Sequence, residues 1–290
     1  IEFTIDSVLN LSSHSINWKK SKLPKEYFIE KYNAYSLLLK SPHTLQTNKE
    51  YNGLMCFHNK KIYEGDKLYG HLDLQKECLL HNVNITFQIM QSSLVTQGRN
   101  LCVDAFLQTD HKQFLFIDSD IAFSPRSVFR LYDSPHDVTV IPYPMKSFNR
   151  DKFDLDYKKR PDDDPRSMGL IFPIELMDNE SVQIDKGFLQ IKRGPTGMMM
   201  IKREVFEKMM KEYPEKKIKQ QTMINGKLEE KKYFYNFFDS WHNPEDKTYT
   251  GEDFYFCKLW TDIGGKIHAI CDEHIEHFGM HSYQGKLLQE

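Results

Sequence analysis

The sequence lacks several features that mark particular classes of protein. Its longest apolar runs, such as residues 114–117, are far shorter than a membrane span, and no signal peptide is visible. Lysine and arginine together number 39 against 41 aspartates and glutamates, a net charge of −2, so the basic excess needed for non-specific nucleic-acid binding is missing. With 40% hydrophobic and 28% charged residues, the composition excludes disordered, collagen-like and disulfide-scaffold proteins.

Cysteine is scarce and scattered. The five cysteines are odd in number and include no CxxC pair, which favours free thiols in a reducing compartment over disulfides or structural zinc. We therefore predict a cytoplasmic protein, located in the host cytoplasm if the chain is viral. Because the chain begins at Ile1 rather than Met, an upstream targeting segment or anchor stays open.

Three common nucleotide and hydrolase signatures are also absent. The sequence contains no GxGxxG, no GxxxxGK[ST] and no GxSxG, the patterns of dinucleotide-binding turns, P-loops and serine nucleophile elbows. Chemistry must therefore be sought in other groups of polar residues.

The chain does contain an alternation of apolar strands and amphipathic helices. Residues 1–45 are interpreted as an N-terminal extension with one helix near 25–39, and residues 46–290 as one main domain. In the first half of this domain, patterning predicts strands at 53–57, 83–90, 114–117 and 137–141 with helices between them. Strands that alternate with helices predict a parallel α/β sheet.

The second half of the domain is less regular. We predict a mobile loop over 146–168, a hairpin or loop over 213–232, and helices over 205–210 and 250–263. Short strands are expected at 170–174, 182–184, 188–192, 233–238 and 266–270. The expected fold is a single Rossmann-like α/β domain whose central sheet is mixed, with a parallel N-terminal half and an antiparallel C-terminal half.

Asp118, Ser119 and Asp120 form the sharpest chemical signal. They follow a buried strand, so both carboxylates lie at its carboxyl end, where open α/β sheets bind ligands. Neighbouring carboxylates repel each other unless a cation lies between them, and oxygen ligands beside substrate phosphates suit Mg²⁺ or Mn²⁺. The alternative is a turn in which an aspartate caps the helix that follows Ser124.

Two further polar groups lie near the C-terminus. Glu252 and Asp253 open a predicted helix, where the helix dipole alone favours carboxylates. His274, His277 and His281 crowd together beside several acidic residues, which leaves open a zinc site of a metallo-hydrolase. No cysteine pair and no HExxH motif accompanies these histidines.

A series of motifs in the main domain resembles a known enzyme family. The segments are Arg99-Asn100, FLFIDSDIAFSP (114–125), IPYPMK (141–146), GPTGMMMIKREVF (194–206), GEDFYFCKLW (251–260) and HFG (277–279). In this order they resemble GT-A nucleotide-sugar glycosyltransferases, and the closest type is the compact kind found in large viruses, phages and bacteria. The resemblance covers about residues 52–285 and implies a GT-A domain.

The resemblance implies a metal-dependent transfer of a sugar from a nucleoside diphosphate donor to a hydroxyl of a glycan or glycoprotein. The donor expected is a UDP-sugar. Asp118 and Asp120 would form the DxD motif, in which Asp120 binds Mn²⁺ or Mg²⁺ directly and Asp118 contacts the donor ribose or a metal-bound water. His277 would be a further ligand of the metal or of phosphate.

Other residues would complete the donor side by the same resemblance. Arg99 would lie near the donor's phosphate or ribose oxygens, and Asn59 and Gln91, at the ends of the first two strands, would seat the base. Gly197 would form the floor of the sugar pocket. Lys146 would meet an anionic acceptor or a phosphate.

On the acceptor side, the resemblance makes Asp253 the general base of an inverting enzyme, while Glu252 positions the sugar or the acceptor. A retaining enzyme would not need this base, and both stereochemical outcomes stay open. The alternatives are a glycosyltransferase for modified bases of phage or viral DNA, a non-catalytic sugar- or nucleotide-binding module, and the metallo-hydrolase. Neither the donor sugar nor the oligomeric state can be read from the sequence.

Overall fold

The computed structural model describes residues 53–59, 66–90, 92–178, 182–224, 227–279 and 282–288. The chain divides into two units, Ile1–Glu50 and Tyr51–Glu290, and every described residue belongs to the second. The predicted N-terminal extension and its helix lie outside the described residues, so the boundary at 45 stays a prediction.

Strands and helices alternate through the first half of the described chain. Their bounds are β1 Gly53–Asn59, α1 Asp66–Leu80, β2 Asn84–Met90, α2 Val95–Leu107, β3 Gln113–Asp118, β4 Ile121–Ala122, α3 Pro125–Tyr132 and β5 Val138–Val140. Helix α3 begins as its sequence predicts, because the Ser124 side chain accepts a hydrogen bond from the Ser127 amide and Pro125 occupies the first helical position.

The second half contains shorter strands and three further helices among the described residues. Their bounds are α4 Arg150–Lys159, β6 Glu175–Leu176, β7 Ile184–Asp185, β8 Phe188–Arg193, β9 Met198–Lys202, α5 Arg203–Glu212, β10 Gln221–Ile224, β11 Lys227–Glu230, β12 Trp241–His242, β13 Tyr249–Thr250, α6 Glu252–Asp262, β14 Ile267–Ile270, β15 Ile275–Phe278 and β16 Ser282–Gly285. Strands β10 and β11 form the hairpin expected within 213–232.

A nine-stranded mixed sheet organises the described domain. Its order is β2-β1-β3-β9-β5-β14-β8-β6, with β7 paired to β8. Strand β1 is parallel to β2 and β3, and β5 is parallel to β14, whereas β9 runs antiparallel to both β3 and β5. The mixed α/β sheet is therefore confirmed.

The expected split into a parallel half and an antiparallel half needs a correction. Strand β9 comes from the second half of the domain but lies between β3 and β5 of the first. Its residues 198–201 are fully or almost fully buried, and a strand whose two faces are both apolar is stable only in the middle of a sheet with layers on both sides.

The core lies on both faces of the central strands. Alternate side chains of β3 enter different clusters: Phe114 and Phe116 pack with the aromatic residues Phe106 and Phe206, while Leu115 and the other alternate residues pack against α3. The four cysteines whose side chains the structure describes are buried free thiols, as predicted.

A small second sheet, with the order β16-β15-β4, was not predicted. It pairs a two-residue strand directly after Asp120 with a strand near the C-terminus. Two residues carry too little periodicity to be recognised as a strand, so only the pairing reveals β4.

Several predicted elements were wrong. Helix α4 lies inside the segment expected to be a mobile loop. It buries none of its residues, so it has no apolar stripe; it is stabilised instead by its Asn149 cap and by ion pairs such as Lys152–Asp156. The strand expected at 170–174 is displaced to β6.

The strand expected at 233–238 is also wrong. In this segment Tyr235 makes a single bridge to Lys217. The amides of Phe237 and Phe238 donate instead to the buried side-chain oxygen of Asn100, which replaces the partner strand that the apolar pattern seemed to require.

Among the described helices, none combines the length and the apolar character that crossing a bilayer demands.

Candidate active site

The carboxyl ends of three parallel strands meet at one edge of the sheet. The register pairs Asn59 of β1 with Asp118 of β3 on one side and with Met90 of β2 on the other. In open α/β sheets this edge is where ligands bind. The side chain of Asn59 and the whole of Gln91 lie outside the described residues, so their proposed contacts with the base stay predictions.

Arg99 joins the two acidic motifs. Its Nη2 donates to Asp118 Oδ2 at 3.1 Å and its Nε donates to Glu252 Oε1 at 3.2 Å. The residue is 4% exposed, and its guanidinium lies 4.9 Å from the centre of the Phe116 ring. Burial lowers the pKa of Arg99, but the Asp118 and Glu252 carboxylates more than reverse this effect and keep the group charged.

These contacts change what is expected of Arg99 and Asp118. Two of the guanidinium N–H directions are occupied by protein carboxylates, so Arg99 acts first as a bridge between β3 and the start of α6. Asp118 directs one oxygen toward this bridge. Contacts of Asp118 with a metal, a metal-bound water or the donor ribose stay predictions.

Asp120 faces a different set of partners. Its Oδ2 accepts a hydrogen bond from Lys146 Nζ at 2.5 Å and lies 3.7 Å from His277 Nε2. Burial alone would raise the pKa of Asp120, but the His277 and Lys146 side chains hold it well below its usual range. Asp120 is therefore an anion, and its two partners, Lys146 and His277, come from other parts of the chain.

The small sheet brings His277 to Asp120. Strand β15 pairs His277 with Ile121, and the Phe278 amide donates to the Asp120 carbonyl at 2.8 Å. His277 Nδ1 lies 2.8 Å from the Pro144 carbonyl oxygen, which can only accept. Nδ1 therefore carries a proton, and Nε2 is the ring nitrogen that faces Asp120.

The chemistry of this pair fits a divalent cation that also binds substrate. A carboxylate and an imidazole both suit Mn²⁺, and phosphate oxygens and waters commonly complete such a coordination sphere. Among the residues that the structure describes, no group of three or more histidine, cysteine, aspartate or glutamate side chains is arranged to hold a metal. A metal held by this pair would take its remaining ligands from waters or phosphate oxygens.

Tyr143 connects the two halves of the site. Its ring lies at an edge-to-face angle to His277, with 4.8 Å between ring centres. On its other side it packs so closely against Gly197 that any Cβ at that position would overlap the ring. The Gly197 carbonyl in turn accepts a hydrogen bond from the Asp118 amide at 2.9 Å.

This packing explains why position 197 needs a glycine, a requirement that the sequence alone did not reveal. The glycine was expected to permit close approach of a donor sugar, whereas the residue that approaches it here is Tyr143. A contact between Gly197 and the donor stays a prediction. In the sequence Tyr143 stands out only as part of the IPYPMK segment, because no local pattern pairs an aromatic residue with a glycine 54 positions away.

The pKa of Asp253 shifts in the direction opposite to that of Asp120. It lies in the first turn of α6, after the N-cap residue Gly251, and its Oδ1 accepts a hydrogen bond from the Phe254 amide at 2.7 Å. Burial raises the pKa of Asp253 to about 6, and the neighbouring Glu252 carboxylate adds to this shift. A carboxylate with that pKa is a better proton acceptor than an ordinary aspartate and is still mostly ionised at pH 7.

Asn100, next to Arg99, fixes the segment that supports α6. It is 1% exposed and also donates to the Phe238 carbonyl at 2.9 Å. The Phe238 ring stacks on Phe256 of α6, with 4.5 Å between ring centres. Sequence reasoning quoted Asn100 only as a neighbour of Arg99 and missed this role.

The C-terminal histidine and acid cluster is divided by the fold. Glu273 is buried and accepts hydrogen bonds from Ser127 at 2.7 Å and Arg130 at 2.9 Å, and Asp272 accepts from Arg130 at 2.7 Å. These acids stabilise the contact with α3. His274 is exposed and His281 lies outside the described residues, so among the described histidines of this cluster His277 alone is placed in the site.

No protein-family model and no curated protein sequence matches the chain. Among solved structures it is similar to protein A197 from STIV, with 16% identity and a TM-score of 0.40 over 78% of this chain and 85% of that one. It is also similar to a glycosyltransferase involved in the glycosylation of the major capsid of PBCV-1, with 11% identity and a TM-score of 0.28 over 53% of this chain and 62% of that one. A third is 4-diphosphocytidyl-2C-methyl-D-erythritol synthase from Anaerococcus prevotii, with 10% identity and a TM-score of 0.29 over 58% of this chain and 78% of that one. All three scores lie below 0.5, so the function inferred next depends on the site itself.

Proposed function

We propose that the protein is a metal-dependent glycosyltransferase that moves a sugar from a nucleoside diphosphate sugar to a hydroxyl of a glycan or glycoprotein. One observation carries the proposal. The acidic turn after β3 and the acidic start of α6 meet on the buried guanidinium of Arg99, and Asp253, with its pKa raised to about 6, lies beside that meeting point.

On the donor side, Asp120 and His277 would hold Mn²⁺ or Mg²⁺. When bound, the metal would offset the negative charge that develops on the departing diphosphate. Asp118 would contact the donor ribose or a metal-bound water. Asn59 and Gln91 would seat the base, for which UDP is the proposed nucleotide.

On the acceptor side, Asp253 would accept the proton of the attacking hydroxyl. The hydroxyl oxygen forms a bond to the anomeric carbon as the bond from that carbon to the diphosphate breaks, and the nucleoside diphosphate leaves with the bonding electrons. Glu252, held by Arg99, would position the sugar or the acceptor. We propose inversion of configuration, in which the base would lie on the face of the sugar opposite the leaving group.

The rival functions receive less support from the same residues. A DNA acceptor calls for a basic surface, and the net charge is −2. A zinc hydrolase calls for acids beside the histidine cluster, but Asp272 and Glu273 are engaged by Arg130.

A thermal-shift panel tests the proposed function. The purified protein is heated with UDP-, GDP-, CMP- and dTDP-sugars, each with Mn²⁺ and with EDTA. A donor that binds only the native state, present at a concentration a hundred times its Kd, stabilises that state by about 2.7 kcal/mol. Sugars of one nucleotide class should therefore raise Tm, and they should do so only in the presence of metal. Free UDP is the control for recognition of the nucleotide without the sugar. The absence of a shift with every donor, or a shift that EDTA leaves unchanged, would contradict the proposal.

A further inference from the structure

Lys146 occupies the carboxylate oxygen that a metal would need. Its Nζ donates to Asp120 Oδ2 at 2.5 Å, and this is the same oxygen that His277 Nε2 faces at 3.7 Å. A divalent cation between Asp120 and His277 would therefore meet an ammonium group already in contact with the carboxylate.

The backbone around Lys146 is held while the end of its side chain is free to move. Pro144 is buried and its carbonyl accepts from His277, and the Met145 amide donates to the Ile171 carbonyl at 2.7 Å. The Lys146 side chain is 34% exposed, and its ammonium group is carried on a flexible four-carbon stem. The ammonium can leave Asp120 by rotating about its own bonds, without displacing His277 or Tyr143.

Two cations cannot share one carboxylate oxygen without repulsion. A divalent ion that binds Asp120 must therefore displace the Lys146 ammonium. A nucleoside diphosphate that binds the same metal brings negatively charged oxygens to which the displaced ammonium can move.

We propose that Lys146 is the cation paired with Asp120 before metal binds and that its ammonium moves onto the donor diphosphate when the metal binds. This inference depends on the proposed function, because it assumes a metal and a diphosphate at this site. It makes the binding of metal and nucleotide cooperative. The metal must displace the Lys146 ammonium from Asp120, and the diphosphate gives that ammonium a new anionic partner. The coupling is reciprocal by thermodynamic linkage.

Metal binding without turnover tests the inference. Mn²⁺ is titrated into wild type and into Lys146→Met, each with and without UDP, and free Mn²⁺ is measured by electron paramagnetic resonance. The matched control is Lys152→Met, because Lys152 makes a similar 2.6 Å contact with Asp156 on the exposed helix α4 and loses the same charge. Circular dichroism melts establish that the variants are folded.

In the absence of UDP, Lys146→Met should bind Mn²⁺ on the order of tenfold more tightly than wild type. The substitution removes both the ion pair between Lys146 and Asp120, which Mn²⁺ would have to break, and the repulsion between the ammonium and Mn²⁺. UDP should enhance Mn²⁺ affinity less in Lys146→Met than in wild type, and Lys152→Met should match wild type in both measurements.

Two results would overturn the inference, and they separate it from the proposed function. If wild type binds Mn²⁺ and UDP together but Lys146→Met binds Mn²⁺ no more tightly, the role of Lys146 is wrong and the proposed function stands. If neither protein binds Mn²⁺ with or without UDP, both are wrong.

Discussion

Asp120 and Asp253 are the same residue type in one site, yet their pKa values move in opposite directions. Asp120 lies beside the Lys146 ammonium and the His277 ring, and its pKa is well below the usual range. Asp253 is buried next to Glu252, and its pKa is raised to about 6. The partners of a carboxyl group decide whether it stays an anion that holds a cation or becomes a base that takes a proton.

Arg99 helps to maintain the difference between the two pKa values. It pairs with Asp118 and Glu252, which lie close in sequence to Asp120 and Asp253, and its two hydrogen bonds to carboxylates go to these residues rather than to Asp253. Without that bridge, four carboxylates would share one edge of the domain and their mutual repulsion would raise the pKa of each.

The largest effect is expected from removing the proton acceptor. Asp253→Asn keeps the shape of the side chain and its contact with the Phe254 amide, so turnover should fall by about a hundred- to ten-thousandfold while the donor dissociation constant barely moves. Steady-state kinetics and donor titration measure the two quantities.

The matched control lies on the same helix. Asp262→Asn removes an exposed carboxylate that pairs with Lys258 at 2.6 Å and should leave turnover unchanged. Glu252→Gln should instead raise the Michaelis constants. Near-normal turnover of Asp253→Asn would show that Asp253 is not the general base. The helix dipole alone would then explain an acidic residue at this position.

The next largest effect is expected on the cation side. Asp120→Ala removes the anion and should weaken Mn²⁺-dependent nucleotide binding on the order of a hundredfold. The fold should persist because the side chain is 34% exposed. Isothermal titration with Mn²⁺ and UDP measures the loss, and Asp154→Ala on α4 is the control. Unchanged metal dependence would remove Asp120 from the metal site.

A smaller effect distinguishes the histidines. His277→Ala should weaken donor binding in the presence of Mn²⁺ about tenfold, a typical loss when a metal site loses a supporting group. His274→Ala should have no effect, because His274 is exposed outside the site. Equal losses in the two variants, together with zinc found by elemental analysis, would favour a hydrolytic metal centre instead.

The last expected effect is a pH-dependent change in stability. The folded-state pKa of Asp253 is raised from 3.8 to about 6, so its contribution to stability is fully present below about pH 4 and is lost as pH rises through 6. Asp253→Asn does not ionise. Its free energy of unfolding should exceed that of wild type by about 3 kcal/mol well above pH 6 and approach it near pH 4. Urea unfolding at both pH values measures this difference, and a constant difference would contradict the raised pKa.

Elements with a strong local pattern were predictable. Strands β3 and β9 are runs of apolar residues, α3 has a serine cap followed by proline, and α6 begins at the acidic pair. Helix α4 was missed because it buries nothing, and hydrophobic periodicity reports only helices that do. The irregular segment before β12 was misassigned because its amides bind the Asn100 side chain, a partner 137 residues away.

The candidate site divides in the same way. Asp118, Asp120, Glu252 and Asp253 stood out in the sequence because carboxylates after a buried strand or at a helix start are local patterns, whereas His277 was proposed only from the resemblance of the HFG segment. The bridge made by Arg99, the packing of Tyr143 on Gly197 and the contact of Lys146 with Asp120 join residues that lie far apart in the chain or that face one another only after folding. Opposite pKa shifts at Asp120 and Asp253 arise from burial and neighbouring charge. Both quantities are set by distances in the folded protein, which is why two identical aspartates acquire different chemistry only in the tertiary structure.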